Sequence, residues 1–295
     1  MNLSNPLMLV PLFVLLLSSA ANADAARKGL TRVLLRDGQE LAGEVTARDA
    51  THVTLRIGQG QEVQLPLSAI ASIEETEARV DATGEVHWPD PSRTRYLYAP
   101  SAMMLKRGEG YFSQKELLFS SVAYGVTDHV TVLAGSALPL WFADAPNFIL
   151  GAKVGFSPAP SLHVAAGIES LVLPGTGGFV GGLAFGSVTL GGEAAHVTVS
   201  GGPILYTLAG EEDRVGPAIV TLSGNVRVAP RLALVAENWI VPSAGSGSTL
   251  LMANAFALRV IGRRLTVDVG AMVLSSNFDA VPVPVPWLDF TYNFQ

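Results

Sequence analysis

The sequence predicts an all-β protein: an antiparallel transmembrane β-barrel of about 12 strands, preceded by a small β domain. Three observations predict it. In the last two-thirds of the chain, strand-length segments set an apolar face against a face of small or polar residues, the period-two pattern of a strand with two different surroundings. The connections between these segments alternate between tight turns and longer loops, as they do between the two rims of a membrane barrel. Charge also thins abruptly: residues 24–98 hold 21 Asp, Glu, Lys and Arg, and the much longer stretch 99–295 holds 23. A domain boundary belongs where that density falls.

Composition excludes several function classes. A length of 295 residues leaves room for two domains. The net charge of −6 argues against a nucleic-acid partner, which calls for a basic stripe. With no cysteine there is no disulfide, no thiolate metal site and no acyl anchor.

The chain begins with an apolar run over 7–17, broken by Pro11. It is shorter than the ~20 residues a membrane helix needs. Ala21-Asn22-Ala23 follows it and fits the A-x-A cleavage pattern, so residues 1–23 are expected to be a signal peptide and the mature chain to be exported.

Residues 24–76 form the small domain, built from short strands. Thr31–Leu35 leads into Asp37-Gly38, a hairpin turn signal. The next strands are 40–45, His52–Ile57 and 62–66, separated by Asp49-Ala50-Thr51 and Gly58-Gln59-Gly60, and 67–73 closes the set. This order of strands and turns resembles a small SH3-like or Sm-like barrel. Sm-like barrels often bind RNA, but this copy is acidic and lacks a basic aromatic surface. A structural module or an adaptor that contacts a periplasmic protein through residues 30–75 fits it better. Residues 77–94, polar and acidic with Pro89 and Pro91, read as a linker. His87 and Trp88 there are read as incidental packing.

The barrel is assigned to 95–295. Twelve candidate strands are 95–105, 111–126, 130–141, 148–157, 163–173, 179–191, 195–208, 218–229, 232–242, 250–261, 265–276 and 285–294. The first is the least regular, because Pro100 removes a ladder donor, and ten strands is the alternative count. Strands of roughly 10 residues suit a tilted bilayer crossing. In the eleventh, Leu265, Val267, Val269 and Ala271 oppose Thr266, Asp268 and Gly270. The isolated ions Lys153, Glu169, Arg227, Glu237 and Asp268 are costly in lipid and tolerable inside a barrel, which makes them the lumen-facing candidates. Trp141, Phe142, Phe148, Phe179, Tyr206, Phe278 and Trp287 fall toward the long loops. Tyr124, Phe156 and Phe294 fall toward the turns, so the two sets are expected to form interfacial girdles.

The chain ends with Phe290, Tyr292 and Phe294 alternating with polar residues. This resembles the C-terminal strand of bacterial outer-membrane proteins, with Gln295 one residue beyond the usual final aromatic. The resemblance covers about 200 residues and implies outer-membrane lipid as surroundings. An even strand number puts both barrel ends on one rim, which in that class is periplasmic.

No chemistry stands out. His129, His163 and His196 follow tight turns on one rim but come from separate hairpins, so they are read as polar rim residues rather than metal ligands. His196 and Ser200 share a face four residues apart, ~13 Å along a strand, too far for a nucleophile and its base. Gly175-Thr176-Gly177-Gly178 has no following Lys-Ser/Thr or helix, so it is not a phosphate loop. Glu211-Glu212-Asp213 and the turn residues Arg231, Arg263 and Arg264 read as solvated charges. No catalytic, metal or cofactor residue is assigned, and the chain is expected not to be an enzyme. The expected role is a narrow pore or membrane scaffold with a periplasmic adaptor. The alternatives are a lipid-acting barrel enzyme and a soluble secreted β-sandwich that binds glycans or protein.

Overall fold

The computed structural model describes residues 28–58, 60–80, 86–87, 89–142, 145–175, 178–207, 212–242, 250–276, 279–280 and 284–294. The expected signal peptide, Trp88, Glu211 and Phe278 lie outside them. The chain divides into two compact units, one including residues 22–89 and the other including residues 90–228 and 232–295.

The smaller unit is a single antiparallel sheet of β1 (Lys28–Leu35), β2 (Glu40–Arg48), β3 (His52–Ile57), β4 (Gln61–Pro66), β5 (Ile70–Val80) and β6 (Val86–His87), in the order β4-β3-β2-β1-β5-β6. One 3-10 turn, Leu67–Ala69, joins β4 to β5. Asp37-Gly38 turns the first hairpin as expected, with Gly38 at φ 88°, a conformation open to glycine without steric cost. The core is apolar: Val33, Val53, Leu55, Leu65 and Ile70 are buried together. Residues 77–80 and 86–87, expected to be linker, are strand instead. Val80 opposes Lys28 across the β1–β5 ladder, and Arg79 opposes His87. A run such as Glu77-Ala78-Arg79-Val80 has too much charge to signal a strand by itself; the ladder of β1 supplies the missing partner.

The larger unit is a closed barrel of twelve strands among the described residues. These are β7 (Gly110–Lys115), β8 (Phe119–Thr127), β9 (Val130–Ala137), β10 (Phe148–Ala159), β11 (Leu162–Leu173), β12 (Phe179–Gly191), β13 (Ala195–Thr207), β14 (Arg214–Ala229), β15 (Leu232–Pro242), β16 (Leu250–Ile261), β17 (Leu265–Ser276) and β19 (Val285–Phe294). A two-residue strand, β18 (Asp279–Ala280), extends the end of β17, and a five-residue helix, α1 (Leu138–Phe142), follows β9. β19 pairs with β17 on one side and with β7 on the other, which closes the ring. Closure rules out the two-sheet sandwich fold.

The count of twelve is reached by a different route from the one the sequence suggests. Residues 95–105 are not a wall strand. The expected strand 111–126 is two strands, β7 and β8, joined at Glu116-Leu117-Leu118. Glu116 and Leu117 adopt φ of 53° and 57°. Reversals with positive φ normally announce themselves with Gly or Asn. Here Glu and Leu occupy those positions, so the turn carries no local signal. The expected strand 130–141 also stops at Ala137, where α1 begins.

The two faces of the wall differ as the alternation requires. Outside lie Val154, Phe156, Val199 and Val269, each more than half exposed (53%, 56%, 55% and 53%). Inside, at alternate positions, lie buried Ser113, Thr189, Thr198, Ser200, Thr221, Asn225, Thr266 and Thr291. Trp287, expected at a girdle, is instead fully buried, packed with Tyr96 and Leu97 in the lumen core.

Candidate functional site

Residues 90–105 fill the lumen. Apolar Tyr96 and Leu97 in this segment suggest a strand, but its backbone closes mostly on itself. Tyr96 N–H donates to the Ala99 carbonyl at 2.9 Å, and Ser101 N–H donates to the Thr94 carbonyl at 3.1 Å. Arg95 and Pro100 form an isolated bridge. The result is a short hairpin whose side chains and carbonyls must find partners on the inner wall. Tyr96, Leu97, Ala99 and Ser101 are completely buried there.

Four charged groups of the wall grip this hairpin. The Glu237 carboxylate accepts the consecutive backbone N–H groups of Leu97, Tyr98 and Ala99 at 2.8, 2.9 and 2.8 Å. Successive N–H groups aimed at one anion form a nest, which is how a buried carboxylate is solvated without water. Trp239 Nε1–H donates to the same carboxylate at 2.6 Å. From the other side of the barrel, Lys153 Nζ donates to the carbonyls of Thr94, Ser101 and Met103 at 3.2, 2.8 and 2.8 Å. Arg259 donates to both oxygens of Asp268 at 2.8 Å each and to the Tyr96 carbonyl at 2.9 Å. Asp289 receives Arg95 at 2.8 Å, and Arg95 also donates to the Thr291 hydroxyl.

The register explains how these charges coexist. Arg259 stands directly opposite Asp268 on β16 and β17, and Asp268 stands directly opposite Asp289 on β17 and β19. Two adjacent carboxylates repel, so each takes its own guanidinium, one from the wall and one from the hairpin. Asp90, at the start of the hairpin, lies 3.5 Å from Arg259. Burial alone would push the Asp90 carboxyl up. The Arg259 guanidinium and the Ser92 N–H outweigh it and hold the group below the ordinary carboxylate range. Aromatic contacts complete the packing, with the Tyr98 ring edge-on to Trp287 at 4.8 Å and Tyr96 tilted against His196 at 5.3 Å.

Of the five charges singled out from the sequence, Lys153, Glu237 and Asp268 converge on the hairpin. Arg227 lies on the inner face near Asp90. Glu169 faces a cavity beside the hairpin. Sequence reasoning missed Arg259, Asp289, Arg95 and Lys115. Arg259 had a usable signal: counting outward from the Gly262-Arg263-Arg264 turn pairs it with Asp268. Arg95 had none, because its partner Asp289 is 194 residues away.

The three histidines take separate hydrogen-bond partners, and His196, expected as a polar rim residue, is fully buried against Tyr96. His129 Nδ1 meets the Gly155 carbonyl at 3.1 Å, and His196 Nδ1 meets the Gly192 carbonyl at 3.0 Å. No cluster of three His, Asp or Glu able to hold a metal occurs among the described residues. His163 does meet a serine, but Ser157 rather than one on its own strand, at 2.6 Å. Its second ring nitrogen lies 3.3 Å from the Gly191 carbonyl, so a backbone oxygen stands where a triad places an orienting acid.

The fold thus defines a class: a closed twelve-strand antiparallel barrel whose lumen is filled by its own chain. No family description matches the sequence, and no curated protein matches it. Among solved structures it is similar to the NanC porin, at 7% identity over 63% of this chain and 97% of that one, with a TM-score of 0.39. It is similar to OmpT of Vibrio cholerae, an outer-membrane protein, at 11% identity over 91% and 96% of the two chains, with a TM-score of 0.39. Pseudomonas aeruginosa OccK5 (OpdH) is similar at 10% identity over 91% and 95%, with a TM-score of 0.36. These likenesses are distant, and the barrel assignment rests on its own strand ladder.

Proposed function

We propose that the chain is a bacterial outer-membrane barrel that is closed at rest by residues 90–105 and serves as a membrane scaffold for a periplasmic β domain. The observation that carries this reading is the inverted wall. Large apolar side chains cover the outside of a closed barrel, and the ions sit within it. Water on the outside would favour the opposite arrangement, whereas a bilayer requires this one. The even strand number puts both ends of the wall on the rim of tight turns, which supports a periplasmic location for the domain that precedes it. The meander order of that domain, with a 3-10 turn before β5, supports an SH3-like reading and an adaptor role toward a periplasmic protein.

The narrow pore remains part of the proposal in a conditional form. Any path through the lumen would require residues 90–105 to leave it. A lipid-acting enzyme is less well supported, because the Ser157–His163 pair has no orienting carboxylate. The outer location is tested by Val269→Arg. In a water-exposed wall this change stays within about 0.5 kcal/mol. At mid-depth in a bilayer it costs about 2–4 kcal/mol. Refolding into vesicles, followed by heat-modifiable gel mobility, reads the difference. An unchanged transition, or a native chain that stays monomeric in buffer without detergent, would reject the membrane location.

A further inference from the structure

Beside the hairpin, on the side of the long loops, the lumen holds two adjoining cavities that share Phe119, Ile149 and Glu169. The inner one, about 90 Å³, is polar on one side. Lys115 lines it, as do Ser121 and Thr131. All three side chains are more than nine-tenths buried, and neither hydroxyl has a hydrogen-bond partner. Lys115 stacks over the Tyr98 ring at 5.6 Å and, among the described residues, is in no salt bridge. The outer cavity, about 430 Å³, is lined by Leu118, Pro139, Leu140 and Leu171 besides the shared residues. Glu169 stands at the junction, the one carboxylate lining both chambers.

Buried donors without acceptors are unfavourable unless something supplies the acceptor. Lys115, buried in the lining, asks for an anion. A carboxylate meets that demand and fits a chamber smaller than the ~150 Å³ that accommodates benzene. Glu169 at the junction has Lys115 as its charged neighbour and offers a ligand cation a partner next to that anion. The apolar outer chamber asks for a hydrocarbon group attached to both. We propose that this site binds a free α-amino acid with an apolar side chain. Its carboxylate meets Lys115, its ammonium meets Glu169, and its side chain enters the outer chamber. The hairpin residue Tyr98 forms part of the same lining, so an occupied site is in contact with the segment that closes the lumen. The assignment rests on the closed-barrel reading above.

The test is calorimetric titration of the full-length chain, refolded in detergent, with L-leucine, L-phenylalanine, leucinamide, N-acetyl-leucine and octanoate. Leucine and phenylalanine are expected to bind saturably. Leucinamide and N-acetyl-leucine, each lacking one charge, are expected to bind at least about tenfold more weakly. Glu169→Gln should erase the difference between leucine and N-acetyl-leucine, and Lys115→Met the difference between leucine and leucinamide. If Lys115→Met fails to fold, Lys115→Gln, which keeps a donor but removes the charge, should bring leucine down to the affinity of leucinamide. Octanoate binding as tightly as leucine and unaffected by Glu169→Gln would overturn the zwitterion assignment. So would absence of saturable leucine binding at millimolar concentration by a chain with heat-modifiable mobility. Loss of that mobility in the native chain would instead reject the barrel, so the two failures are distinguishable.

Discussion

The chain contains two interiors built on opposite principles. The small domain keeps Val33, Val53 and Leu55 fully buried and leaves its ions outside, where Arg56 spans Glu44 and Glu62 at 3.4 and 3.1 Å. The barrel keeps Arg259, Asp268, Glu237 and Asp289 inside and turns valine, leucine and phenylalanine outward. The difference teaches that burial alone does not decide which residues form a core. On the proposed membrane location, what decides is the medium on the far side of the wall. Exposed pairs such as those of Arg56 contribute ~0–1 kcal/mol. The lumen pairs are dehydrated on every side, so each must be satisfied completely or it destabilises the fold.

The largest expected effect follows from removing the anion that holds the hairpin. Glu237→Ala strands the N–H groups of Leu97, Tyr98 and Ala99, at about 1–3 kcal/mol for each. The hairpin should then leave the lumen, and planar-bilayer recordings should show conductance that the native chain lacks. A barrel that stays closed would mean the hairpin does not depend on this nest.

Arg259→Met comes next. It leaves Asp268 and Asp90 buried without their guanidinium, a cost of about 3–5 kcal/mol. Replacing both carboxylates together with the arginine, as Arg259→Met/Asp268→Leu/Asp90→Leu, should recover most of the loss. Melting followed by the heat-modifiable gel shift measures both. If the triple variant is as unstable as the single, the lumen core is not governed by charge compensation.

The matching substitution in the other interior is Leu55→Ala, expected to cost about 2–5 kcal/mol by cavity formation. Proteolysis of the small domain should accelerate while the gel shift of the barrel stays where it was. A coupled change would show that the two interiors do not fold independently.

The smallest effect is that of acid on Asp90. Its carboxyl lies below the ordinary range in the folded chain. Its contribution is therefore complete at neutral pH and declines only as the pH falls below the usual carboxylate value of ~3.9. The stability that Asp90 contributes should be flat between about pH 5 and 8 and weaken below about 4. A loss of stability at a mildly acidic pH would point to a different titrating group.

Much of this architecture was legible locally. The outward alternation over 265–271 stands in the structure as read, and β19 occupies 285–294 with Phe290 and Tyr292 outward. The inward position of Glu237 was legible too, but what it holds was not. Three N–H groups at 97–99 leave no mark on side-chain pattern. The Glu116-Leu117 reversal was illegible for a related reason: nothing in a glutamate and a leucine favours positive φ, and the conformation is imposed by neighbours such as the Leu288 carbonyl, which accepts the Glu116 N–H at 2.7 Å.

By itself, the sequence determined the strand period, the two classes of connection and the side of each strand that would carry polar groups. Those are properties of a few neighbouring residues and of the pleat, which fixes alternate side chains on opposite faces. Only the tertiary structure decided that 90–105 is contents and not wall, and that β7 and β8 are two strands. Membership of the ring is settled when β19 finds β7, across nearly the whole length of the barrel sequence. Once the ring is closed, a hairpin with satisfied donors and acceptors fits inside, and a thirteenth strand has no edge left to join.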